Sequence, residues 1–150
     1  MTAPTVSTIP TVKDRLVTVL GLRANLAGVQ VVRGHPGKFL QTEAVIVGAA
    51  RGRHDFVTLK ATRPPRDETY TVEVIASVLK EGGTIAEAED RAHALIAEVE
   101  DALATDDKLG IPTTILWAKT GEIEERASGY TDTGTVAEVV LRVEVKARLS

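Results

Sequence analysis

The 150-residue chain has no cysteine and few aromatics, and both shortages narrow what it can do. Without cysteine there is no disulfide, no thiolate nucleophile and no cysteine-held metal. The aromatics are Phe39, Phe56, Tyr70, Trp117 and Tyr130, too few to build a platform on which nucleic-acid bases stack. No apolar run approaches the roughly eighteen residues of a membrane helix, so no membrane partner is expected. Residues 1–10 lack a basic stretch followed by an apolar one. No secretory signal is predicted, and a start in a cytoplasm is expected. Neither sign of charge dominates, since the net charge is only −3. That excludes whole-surface attraction to nucleic acid or anionic lipid and leaves local patches as the electrostatic route.

Catalytic patterns are missing as well. His35, His54 and His93 are scattered, with no i, i+4 helical pair and no carboxylate arranged as a ligand set. Ser7, Ser77, Ser128 and Ser150 have no Gly-x-Ser-x-Gly context. Gly48-Ala49-Ala50-Arg51-Gly52 matches neither the dinucleotide nor the phosphate-loop pattern and reads as a turn. Asp106-Asp107 lacks the alternating oxygen ligands of a calcium loop and reads as a polar helix stop. No catalytic residue, metal or cofactor is expected.

What the sequence does have is periodicity. From 136 to 149, apolar side chains at 137, 139, 141, 143, 145, 147 and 149 alternate with Glu138, Arg142, Glu144, Lys146 and Arg148. That is a strand with one apolar and one charged face. At about 3.3 Å per residue it runs roughly 45 Å, against about 40 Å for a compact chain of this size. Such a strand spans the body or reaches beyond it, which suggests assembly. Residues 69–79 alternate likewise, with Tyr70, Val72, Val74, Ala76 and Val78 on one face. Residues 84–103 form the clearest helix. Thr84 caps it, Glu87 completes a capping box, and Ala88, Ala92, Leu95, Ile96, Val99, Ala102 and Leu103 make one apolar stripe.

The rest is shorter. A first helix is expected from a Thr11 cap with Asp14 in box position, ending near Gly28. Strands are expected at 29–33, 44–47, 54–60, 113–119 and 122–127, with a loop at 61–68 and a hairpin loop at 130–134. The whole reads as an α+β domain over 11–150 behind a flexible arm, 1–10. Its antiparallel or mixed β-sheet carries two main helices on one face and ends in a long C-terminal hairpin.

Charge is segregated. Arg51, Arg53, Lys60, Arg63 and Arg66 gather between 51 and 66 against Asp55 alone. Between 87 and 107, Glu87, Asp90, Glu98 and Asp101 belong to a set of acids opposed only by Arg91 among Lys and Arg up to residue 107. Charge runs are usually solvated surface. The sharper expectation is that the basic segment of one subunit meets the acidic helix of the next, a heterologous contact that closes a ring. The basic segment could instead touch a DNA backbone non-specifically.

In order, the Val12-Lys13-Asp14-Arg15-Leu16 helix, Val29-Gln30-Val31-Val32, Gly34-His35-Pro36-Gly37, and Arg66-Asp67-Glu68-Thr69-Tyr70-Thr71-Val72-Glu73-Val74 follow one another. The helix at 92–103 and Gly129-Tyr130-Thr131-Asp132-Thr133-Gly134 complete the series. This ordered set resembles the tail terminator, or tail-completion, proteins of long-tailed bacteriophages. The resemblance implies a homo-oligomeric ring, expected to be a hexamer, in the tail or neck of a virion. Such a ring caps the tail tube, stops its polymerisation and offers a surface to the head–tail connector protein. Two alternatives stand beside it. One is a connector or neck ring nearer the capsid; the other is a small ligand-binding or enzymatic module built around His54 and Asp55.

Overall fold

The computed structural model describes residues 6–56 and 65–149. Its elements are α1 (Ile9–Gly21), β1 (Gln30–Arg33), β2 (Glu43–Phe56), β3 (Arg66–Lys80), α2 (Ile85–Thr105), β4 (Trp117–Thr131) and β5 (Gly134–Leu149). The strands make one mixed sheet of order β1-β2-β3-β5-β4, in which β1 pairs parallel to β2 and every other pair is antiparallel. This is the expected α+β architecture with its long C-terminal hairpin. Both helical stripes join the sheet's apolar face in one core: Val12, Leu16 and Leu20 from α1, Leu95, Ile96 and Val99 from α2.

Alternation explains the central strands. β3 and β5 pair from Arg66↔Leu149 to Lys80↔Thr135; the alternate apolar positions from 70 to 78 and from 137 to 149 face the helices, while Asp67, Glu73, Glu138, Arg142, Glu144, Lys146 and Arg148 face outward. β5 therefore spans the body, flanked by two strands of nearly its own length. β4 turns into β5 through Gly134, whose φ of 153° and closeness to the Lys80 carbonyl suit a residue without a Cβ. A Cβ there would stand 2.6 Å from that oxygen.

The structure departs from the sequence reading at four places. Residues 48–52 are not a turn: β2 runs unbroken from Glu43 to Phe56, with a bulge between Val47 and Ala50. Residues 66–68 belong to β3 rather than to a loop. β4 is one strand, with irregularities at Thr120/Ile123 and Glu125/Ala127, instead of two strands starting at 113. α1 starts at Ile9, after Thr8, with Pro10 in its first turn where a missing N–H costs nothing, and it ends at Gly21. The helix thus takes in the end of the segment read as an arm. At its C-terminal end α2 closes through Asp106, whose carboxylate accepts the Lys108 and Gly110 amides at 3.0 and 2.7 Å.

Candidate assembly surfaces

The sheet face away from the helices is open, and strand alternation loads it with charge. Its cations are Arg51, Arg53, Lys119, Arg126, Arg142, Lys146 and Arg148. Its anions are Asp55, Asp67, Glu73, Glu122, Glu124, Glu138 and Glu144, so among the described residues the two signs match in number. They are interleaved. Arg142 reaches Glu124 at 2.9 Å and Glu73 at 3.5 Å, Arg126 reaches Glu73 at 3.3 Å, and Arg148 forks onto Asp67 at 2.8 and 3.3 Å. The fork from Arg148 holds the Asp67 carboxyl below the usual range, against a smaller opposing effect of burial.

Of the basic residues singled out from sequence, Arg51 and Arg53 stand on this open face in the outer half of β2, both exposed. Arg53 donates to Asp55 at 3.1 Å. Arg66 begins β3 on the opposite face, where its Nε donates to His54 Nδ1 at 3.3 Å. Lys60 and Arg63 lie outside the described residues. The fold therefore brings Arg51 and Arg53 together and sends Arg66 elsewhere.

The acids of α2 divide as well. Glu87 sits in the first turn, where its amide donates to the Thr84 hydroxyl and its carboxylate meets Lys80 at 3.5 Å. Glu98 is taken up inside the protomer by Asn25 at 2.7 Å and Arg23 at 3.3 Å, fixing the turn after α1 against α2. Asp90 and Asp101 are exposed on the outer side of the helix. A groove of about 660 Å³ between α2 and β4, lined by Glu100, Asp101, Asp107, Lys119 and Thr120 among others, extends this acidic side.

One cluster escaped the sequence reading. Glu68, on the apolar face of β3 and 2% exposed, accepts the Thr8 amide at 2.8 Å and the Thr8 hydroxyl at 2.7 Å. The Tyr70 hydroxyl lies 2.8 Å from the same Thr8 oxygen, and His54 Nε2 lies 3.0 Å from the other Glu68 oxygen. Because His54 Nδ1 accepts from Arg66, its proton sits on Nε2 and points at the carboxylate. Burial pushes the Glu68 carboxyl up, but hydrogen bonds from Ser7, Thr8 and His54 outweigh it and leave the group below its ordinary value. Burial, with the neighbouring carboxylate, pushes the Tyr70 hydroxyl well up. A pocket of about 390 Å³ opens beside these groups, lined by Ser7, Ile9, Gly52, Arg53, His54, Glu68 and Tyr70. Their polar atoms spend their bonds on one another, and the product is a clamp holding the start of α1 on the sheet. The available signal was parity: Glu68 falls in step with Tyr70 and Val72, so extending β3 back to Arg66 puts an acid on the core face.

The two remaining histidines serve local geometry. His35 Nδ1 accepts the Gly37 amide at 2.9 Å, and His93 meets Glu125 of β4 at 2.8 Å.

Neither a family model nor a curated protein matches this sequence. Among solved structures, the chain is similar to one from the "Virion of native gene transfer agent (GTA) particle", with 17% identity and a TM-score of 0.59. The likeness covers 91% of this chain and 93% of that one, and at this identity it is a likeness of fold, extending over nearly the full length of both.

Proposed function

We propose that this chain is a structural protein of a phage-like virion: a tail terminator that closes into a ring, expected to be hexameric, on the end of the tail tube. The observation that carries the reading is the fold likeness to a virion chain across nine-tenths of both partners. Two further features support it. The ordered sequence phrases resemble those of tail terminators, and the sheet presents long charged edges suited to repetition of one contact around an axis. In this role the activity is geometric. The ring stops addition of tube subunits on one side and meets the head connector on the other, and DNA passes through its hole.

The test is light scattering over a concentration series, with and without purified tail tubes, followed by negative-stain imaging. The expected result is a closed ring six times the 16.0 kDa protomer, free or on tube ends. A protomer that stays single beside tube ends overturns the proposal. Co-sedimentation with tubes supports a terminator; binding to capsids alone assigns the ring to the connector instead.

A further inference from the structure

Among the described residues the outer half of β2 and the length of β4 leave open edges whose net charges differ in sign: Arg51 and Arg53 against Asp55 on one, Glu122, Glu124 and Glu125 against Lys119 and Arg126 on the other. On one side β1 covers only Ala44–Val47 of β2, and no described strand lies beside 50–56, where Arg51 and Arg53 project. On the other side β4 ends the sheet, exposed at every residue from 119 to 128, with Glu122 and Glu124 on the same open face as the two arginines. Backbone N–H and C=O groups along such an edge lack strand partners and offer a template for another strand.

We propose that residues 50–53 of one protomer pair with residues 122–125 of a second copy, antiparallel, setting Arg53 opposite Glu122 and Arg51 opposite Glu124. The inference rests on the ring reading and names its contact. Strand sense agrees: three successive antiparallel pairings make β4 run opposite to β2, and rotation about a ring axis preserves that relation in the neighbour. Side-chain parity agrees too, because both charged pairs project on the open face and Gly52 then lies opposite Ile123 on the helix face.

Register follows from geometry. Within one sheet Arg53 is level with Trp117, through Thr69 and Lys146. Passing to the next copy crosses four strand spacings, about 19 Å. Strands in closed sheets tilt by about 40°, which displaces the register by about 16 Å, or roughly five residues. With the helices outside and the usual right-handed crossover from β3 through α2 to β4, the displacement runs toward the C-terminal end of β4 and arrives at Glu122. The β4 irregularities fall at the two ends of 122–125, at Thr120/Ile123 and Glu125/Ala127, and bulges discourage indiscriminate pairing along the rest of an edge.

Absence of cysteine makes the test clean, because any disulfide must come from introduced residues. Full-length chain carrying Arg53→Cys and Glu122→Cys, assembled and treated with diamide, is expected to give a ladder of covalent oligomers ending at the ring. Arg53→Cys with Asp101→Cys, which probes contact with α2, is expected to give none. Rings that link through position 101, or not at all through 122, overturn edge pairing and leave the ring itself standing. Failure to form rings at tube ends overturns both. Hydrogen exchange on the unmodified chain guards against damage by the substitutions. Ring formation should slow exchange within 50–53 and 122–125 by about tenfold or more, as expected of newly paired strand amides; slowing confined to α2 overturns the proposal. Arg53→Glu should weaken assembly roughly tenfold at low salt and Glu122→Arg should restore it, whereas equal loss in the double variant overturns the pairing.

Discussion

Glu68 is the residue on which the start of α1 depends. Its carboxylate accepts the Thr8 amide and hydroxyl and faces His54, and Thr8, itself almost wholly buried, would lose its acceptor without it. Glu68→Ala is therefore expected to cost about 3 kcal/mol in urea unfolding, and Glu68→Gln less, because an amide oxygen can still accept. The acid's folded value is lowered from an ordinary 4.5, so its contribution is complete above that value and is lost as pH falls through the folded one. The gap between wild type and Glu68→Ala should accordingly be full at pH 6 and shrink toward pH 3. A gap independent of pH would deny the carboxylate its role. Nothing in composition exposes this residue; it becomes visible only once β3 is extended back to Arg66, into the stretch 61–68 that Pro64-Pro65 made look like loop.

The elements differ in how plainly their residues announce them. β3, β5 and α2 were readable because each buries one face and exposes the other, so burial writes a period of two or 3.6 into the chain. The outer half of β2 and nearly all of β4 bury neither face, so no alternation marks them, and both were broken into shorter pieces. At the start of α1, Thr11-Asp14 offered a capping box that competed with the true boundary at Thr8, and Pro10 was the better guide. The α2 stripe permits quantitative checks. Leu95→Ala, at a fully buried position, should cost about 3 kcal/mol, and Thr84→Ala, which removes the acceptor for the Glu87 amide, about 1 kcal/mol. Denaturant midpoints of equal size for the two variants would contradict this division between core and cap.

Taken together, the protomer has a greasy side covered by its own helices and a charged side left bare, and the charge-bearing residues found from sequence divide between them. Arg51 and Arg53 share the open face, but segregation along the chain did not carry over to segregation in space, because neighbouring residues on a strand point to opposite faces. Cooperative unfolding of this single core implies one transition by circular dichroism for the free protomer. Assembly should raise its midpoint with protein concentration, as any equilibrium linked to association does. A midpoint that ignores a hundredfold change in concentration would place the folded chain outside any stable ring.

The bare face has one more property. If helices point outward in the ring, its interleaved acids and bases line the bore, and a polyanion threading that bore finds each attraction answered by a nearby repulsion. Few counterions would be released on entry, so retention of duplex DNA should be weak and almost flat against salt concentration, unlike the steep slope of a basic clamp. In the proposed ring such a lining would act as a bearing, letting duplex DNA slide through without gripping it.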